Sequence, residues 1–217
     1  PDKLHLIPNG VAARSVAARK SGARRKRVAM IGRVAPIKDT RTFILAVDRL
    51  RHLCPEVEAL VVGPDDENPA YAAECRALAG QLGLGGALRF LGRVPSIAAI
   101  HDEIDLLALT SVSEAQPLAL LEAGAAGLPA VTTDVGSCRE ILEGSRLDPT
   151  EGRGGIVAPC GDYEAIARAM AQLLNDDALR ASMGKVMRQR ISHYYDKRRV
   201  DGMYRALYRQ LSPVRGR

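Results

Sequence analysis

From Val28 onward, short apolar runs alternate with stretches that are apolar on one side only. Val28, Ala29, Met30 and Ile31 form a run closed by Gly32, as expected of a parallel strand covered on both faces. Residues 40–53 then place Phe43, Ile44, Val47 and Leu50 at helical spacing, and Pro55 stops the helix. A strand over 57–63, a helix over 71–82 ending at Gly83, and a strand over 88–91 closed by Gly92 repeat the unit. A short helix over 97–102, a fourth strand over 106–109, a helix over 118–126 capped by Gly127, and a fifth strand over 130–132 continue it. A small edge strand over 154–157 and helices over 163–174, 178–189 and 200–211 close the pattern. Repeated β-α units of this length imply right-handed crossovers and a parallel sheet with helices on both faces. The predicted fold is therefore α/β, a doubly wound, Rossmann-like parallel sheet. No period of 20 to 50 residues recurs, which excludes a solenoid.

The division expected along the chain is a lead-in segment and interdomain linker over 1–27, a ligand-binding domain over 28–190 and a helical tail over 191–217. The lead-in holds an apolar patch from Leu4 to Pro8, a turn at Asn9 and Gly10, and a basic run ending at Arg24, Arg25, Lys26 and Arg27. The chain starts at Pro1 in mid-pattern without an initiator Met, so it is expected to be a piece of a longer protein.

Of the 217 residues, 47% are apolar and 26% charged, the balance of a globular domain rather than a disordered tail. No apolar run approaches the roughly 18 residues needed to span a bilayer. The net charge of +6 suits an anionic partner. Cys54, Cys75, Cys138 and Cys160 lie far apart with no C-x-x-C pair, so neither a zinc nor a redox site is expected, and the chain reads as cytosolic and reduced. His5, His52, His101 and His193 are scattered and are read as structural or exposed.

Doubly wound sheets bind ligands outside the carboxyl ends of their strands, so chemistry is sought in those loops. The first strand leads into Gly32, Arg33 and, before the next helix, Lys38: a close-approach glycine and two cations beside a helix start that favours anions. Neither G-x-x-x-x-G-K-[ST] nor G-x-G-x-x-G is present. The fourth strand leads through Thr110, Ser111 and Ser113 to Glu114, with Pro117 and Leu118 opening a helix that carries Glu122 among leucines and alanines. A carboxylate in such surroundings needs hydrogen-bond donors, and vicinal sugar hydroxyls are suitable. The fifth strand is followed by Asp134, Gly136 and Ser137. Glycine, small hydroxyls, cations and carboxylates at three strand ends suit a phosphorylated, polyhydroxylated ligand, with a solvated loop or a surface helix Glu as the alternative for each.

These residues also resemble a family. Gly32-Arg33 with Lys38, the segment FLGRVP from Phe90 to Pro95, SEAQPLALLEA around Glu114 and Glu122, and GLPAVTTDVGS from Gly127 to Ser137 resemble the C-terminal, donor-binding half of a GT-B retaining glycosyltransferase of the group 1 type. Within that group, IGRVAPIKD, VVGPDDENPAYAAECRALAGQLGL, LTSVSEAQPLALLEA and TDVGSCREIL are most similar to the PelF branch, which serves Pel exopolysaccharide synthesis.

The resemblance implies catalytic roles for Arg33, Lys38 and Glu114. Arg33 and Lys38 would hold the donor diphosphate and stabilise its charge as the sugar leaves; one such contact is typically worth about 3 kcal/mol in the transition state. Glu114 would face the donor sugar and Glu122 would accept from the ribose hydroxyls. Arg93, Val94 and Pro95 would lie beside the base, backbone at Leu118 would touch the phosphates, and Gly32, Pro117 and Gly136 would complete the donor pocket. It further implies a UDP-sugar as donor substrate, UDP-glucose by likeness to PelF although the residues fit its epimers equally, with no cofactor and no metal. The implied partners are an N-terminal acceptor domain, without which no transfer is expected, and a membrane protein of a polysaccharide synthase that would hold the chain at the inner membrane.

Two rival readings stand beside this one. Nucleic-acid binding through Arg24 to Arg27 and Lys197 to Arg199 is disfavoured, since stacking aromatics and a recognition helix are missing. A non-catalytic nucleotide-sugar sensor, or a UDP-sugar epimerase of the same layout, remains; the epimerase would need an additional acid and base at the sugar.

Overall fold

The computed structural model describes residues 4–13, 26–145 and 150–211. The basic part of the expected linker before Lys26 and the last six residues lie outside the described residues. Six strands form one sheet: β1 (Lys26–Ile31), β2 (Val57–Val62), β3 (Leu88–Gly92), β4 (Leu106–Leu109), β5 (Ala130–Thr133) and β6 (Gly155–Ala158). They pair in parallel throughout, in the order β3-β2-β1-β4-β5-β6. The sheet is the doubly wound α/β arrangement that the alternation of runs implied. Its winding reverses between β1 and β4, the point at which such sheets open a crevice beyond their strand ends.

Eight α-helices cover it among the described residues: α1 (Thr40–Leu53), α2 (Pro69–Gln81), α3 (Ile97–Glu103), α4 (Leu118–Ala125), α5 (Cys138–Glu143), α6 (Tyr163–Asn175), α7 (Asp177–Tyr194) and α8 (Lys197–Leu211). The two-residue period of the strands explains why both faces need cover. Val28 and Met30 of β1 join a core with Phe43, Ile44, Val47 and Leu50 of α1 and Met170 and Leu173 of α6. Ala29 and Ile31, one residue out of step, join the opposite core with Leu120 and Leu121 of α4 and Met187 and Ile191 of α7. Strands that are apolar at every position are thus buried on both faces.

Several boundaries move for identifiable reasons. β1 begins two residues early because Lys26 and Arg27 still pair with Val57 and Glu58 of β2. Pro69, not Tyr71, opens α2: a proline fits the first helical position, and Asn68 caps the helix by accepting from the Tyr71 N–H at 3.1 Å. Directly after Ser137 the chain forms a six-residue helix, α5. α7 continues past residue 189 to Tyr194, burying Ile191. Val11 of the lead-in pairs with Asp196 just before α8, which starts at Lys197 rather than Val200. No helix among the described residues is long and apolar enough to cross a membrane.

Candidate functional site

The tips of β1, β4 and β5 are stitched together by backbone and hydroxyl contacts. Beyond β1 the chain makes a 3-10 turn over Pro36–Lys38, and Asp39 follows with φ 47°, the one non-glycine residue of positive φ among those described. Asp39 then caps α1 by accepting from the Thr42 N–H at 3.2 Å. The tip of β4 grips this turn: the Val112 N–H donates to the Ile37 carbonyl at 3.0 Å, and the Thr110 hydroxyl lies 3.1 Å from the Lys38 carbonyl oxygen and 2.9 Å from that of Asp39. On its other side, β4 accepts from β5. The Thr133 hydroxyl donates to the Ser111 carbonyl at 2.6 Å, and the Ser137 N–H to the Ala115 carbonyl at 2.9 Å.

The consequence is a direct meeting of two sequence-predicted residues. Lys38 Nζ lies 2.5 Å from Glu114 Oε1, across the switch point between β1 and β4, and the Ser111 hydroxyl donates to the same carboxylate oxygen at 2.7 Å. Their side chains are only 20% and 11% exposed, so water screens this pair little. The stem of Lys38 passes over Gly32, where an added Cβ would meet its Cε at 3.7 Å. Gly136 completes the group. It has φ +51°, and a Cβ there would collide with the carbonyl oxygens of Glu114 and Ala115, so only glycine lets the β5 tip close on the Glu114 loop.

Arg33 and Arg93 stand apart from this cluster, at the tips of β1 and β3. Arg33 pairs with Glu67 at 2.6 Å and Arg93 with Asp66 at 3.2 Å, all four side chains roughly half exposed or more. Asp65 pairs with Arg76 of α2. Each acid of the run Asp65-Asp66-Glu67 therefore holds one arginine. Val94 packs partly against the core, whereas Arg93 and Pro95 are exposed.

α4 starts at Leu118 after Pro117, without a side-chain cap. The amides of its first turn thus have no side-chain acceptor, an arrangement that favours an anion. Leu118 and Glu122, four residues apart on one helical face, are both exposed, while Leu120, Leu121 and Ala123 are buried. Among the described residues, the Glu122 carboxylate has no hydrogen-bond or ion-pair partner, and partial desolvation raises its carboxyl above the ordinary range. A loop-type reading of the sequence could not have found the roles of Thr110, Ser111, Thr133 and Glu67. Small hydroxyls directly after apolar strands and an acid run after Gly63 are the signals they leave.

No group of three or more His, Cys, Asp and Glu side chains among the described residues is arranged to hold a metal ion.

Comparison with known proteins agrees with the fold. The family model for glycosyl transferases group 1 matches residues 14–190. Among curated proteins, the D-inositol 3-phosphate glycosyltransferase of Corynebacterium urealyticum is 29% identical over 174 residues, covering 78% of this chain and 39% of the relative. The phosphatidyl-myo-inositol mannosyltransferase of Mycolicibacterium smegmatis is 32% identical over 214 residues, covering 95% of this chain and 52% of the relative. The chain thus spans about half or less of the length of the curated relatives it matches. Among solved structures, sucrose-phosphate synthase of Thermosynechococcus elongatus superposes with a TM-score of 0.81 at 25% identity, over 95% of this chain and 52% of the neighbour. Anabaena HepE in complex with UDP and glucose shares the fold, with a TM-score of 0.75 at 24% identity, over 88% of this chain and 49% of the neighbour.

Proposed function

Because this chain belongs to the glycosyl transferases group 1 family, we propose that it is the donor-binding half of a retaining, GT-B-type hexosyltransferase that takes its sugar from a UDP-sugar. UDP-glucose is the proposed donor and a growing exopolysaccharide the acceptor, as the PelF-like motifs suggest. HepE, the structural neighbour that holds UDP and glucose, motivates the choice of nucleotide. In this proposal residues 28–190 bind the donor, residues 1–27 lead in from an acceptor domain, and residues 191–217 return toward it. The chain by itself binds nucleotide and does not transfer sugar.

The observation that carries the reading is the Lys38–Glu114 pair at the switch point. A diphosphate arriving there offers Lys38 two or more anionic oxygens in place of one carboxylate, so Lys38 turns to it and Glu114 is released toward the sugar hydroxyls. Arg33 is available as well: its exposed pair with Glu67 is worth about 1 kcal/mol or less, below what a charge-assisted bond to phosphate returns. The free amides opening α4 take a further phosphate oxygen, and Glu122, lacking a partner, accepts from the ribose. Arg93, Val94 and Pro95 flank the base.

The chemistry follows from where charge grows. As the bond from the anomeric carbon to the β-phosphate oxygen breaks, the leaving diphosphate gains negative charge, which Lys38 and Arg33 stabilise. The acceptor hydroxyl oxygen bonds to the anomeric carbon on the face the phosphate leaves, and its proton passes to the departing phosphate oxygen. Retention results.

Calorimetry tests the binding step. UDP is expected to bind in the presence of a chelator, more tightly than CMP or AMP, and to bind more weakly to Arg33→Ala, Lys38→Met and Glu122→Ala. Affinity that requires added metal, or that ignores all three substitutions, overturns the proposal.

A further inference from the structure

We infer that Thr110 is a positioning residue for Lys38, which rests on the donor site proposed above. Lys38 sits at the end of a 3-10 turn and immediately before Asp39, whose left-handed backbone is uncommon outside glycine, Asn and Asp and is supported locally by its cap on the Thr42 N–H. The turn is also held from β4. The hydroxyl of Thr110, fully buried, has one proton and two carbonyl oxygens within reach, that of Lys38 at 3.1 Å and that of Asp39 at 2.9 Å. The Val112 N–H fixes the Ile37 carbonyl from the same strand end. Three consecutive residues are thus tied to β4, the strand whose extension carries Glu114. Lys38 Nζ and Glu114 Oε1 meet at 2.5 Å because both their backbones hang from the same few residues.

Valine has the shape of threonine without the proton. In Thr110→Val its extra methyl can pack near Met30 Sδ, which lies 4.0 Å from the present hydroxyl, so the core is kept while the turn is untied. Thr110→Ser keeps the proton. The effect of the valine should reach the ligand only through Lys38.

The test has one arm that needs no ligand. Acylation of Lys38 by an amine-reactive ester, followed by peptide mass spectrometry, should run about two- to tenfold faster in Thr110→Val, the range expected for loss of one buried hydrogen bond. Thr110→Ser should match the parent chain. An unchanged rate in Thr110→Val, with far-UV circular dichroism showing both variants folded, overturns the inference. The second arm is UDP affinity in a double-mutant cycle with Lys38→Met. Thr110→Val should weaken UDP binding in the parent chain and add nothing once Lys38 is gone; an equal loss in both backgrounds marks a general structural effect and overturns it. If the parent chain fails to bind UDP while acylation responds as expected, the donor-site proposal falls and the positioning of Lys38 by Thr110 stands.

Discussion

The Lys38–Glu114 pair makes a prediction whose sign differs between stability and binding. Lys38→Met keeps the aliphatic stem over Gly32 and leaves a carboxylate only 11% exposed with the Ser111 hydroxyl as its remaining donor. A buried charge stripped of its partner costs several kcal/mol, and the residual exposure and hydroxyl reduce this to about 2 kcal/mol. Glu114→Gln costs less, about 1 kcal/mol, because the freed ammonium sits on a flexible stem that can turn to water. The double variant should then fall short of the summed losses by about 1 kcal/mol. Binding runs the other way for one of the two. Lys38→Met weakens UDP, but Glu114→Gln tightens it, since the diphosphate no longer competes with a carboxylate for the ammonium. Two unit charges about 4 Å apart attract by about 4 kcal/mol at an effective dielectric of 20. Since Glu114 must be displaced only partly, a gain of about 1 kcal/mol, roughly fivefold in affinity, is expected. Urea unfolding and calorimetry at fixed ionic strength read both quantities. If Glu114→Gln weakens UDP as Lys38→Met does, the exchange of Lys38 between carboxylate and phosphate is wrong. In a longer enzyme that transfers sugar, the proposal that Glu114 faces the sugar requires the same Glu114→Gln change to lower kcat.

Glu122 supplies a pH dependence. Its carboxyl is raised by desolvation, so the folded chain holds that proton at a pH where the unfolded chain has lost it. Its contribution therefore favours folding at acid pH and declines as pH climbs from the ordinary carboxylate value through the raised one. As an acceptor for ribose hydroxyls it works best ionised, so UDP affinity should fall on acidification through that raised value; Glu122→Gln should remove this component and leave the phosphate's own titration, and identical profiles for the two proteins would count against the ribose contact. Gly136→Ala forces a Cβ onto the carbonyl oxygens of Glu114 and Ala115 at a positive φ. A loss of about 2 kcal/mol, or about 5 °C in Tm, with weaker UDP binding is expected, against near-neutrality for Gly85→Ala, where an added Cβ meets nothing. Equal melting temperatures would refute the close approach.

How far the sequence revealed the site depends on the range of each interaction. The strands were legible because residues such as Val28 to Ile31 are apolar at every position, and burial on both faces leaves no other arrangement. Gly32, Lys38, Glu114 and Gly136 were legible as types of residue at strand ends. That these strand ends gather at one place follows from the doubly wound order, but the direct Lys38–Glu114 contact was not legible, because it depends on how two side chains reach across the seam between β1 and β4, which no local pattern states. The same holds for what surrounds the cations. Arg33 and Arg93 read as free positive charges, yet each is held by an acid from the loop after β2, placed there only when β2 packs between β1 and β3. Such exposed pairs are weak, so they leave the site its net function while lowering its charge before a ligand arrives. Thr110 is the opposite case: a neutral side chain that looks like the end of a strand, and whose hydroxyl acquires a role only because the turn bearing Lys38 folds back over it. Charges at strand ends therefore mark where such a site lies, while buried hydroxyls and crossing strands decide which of those charges can act together.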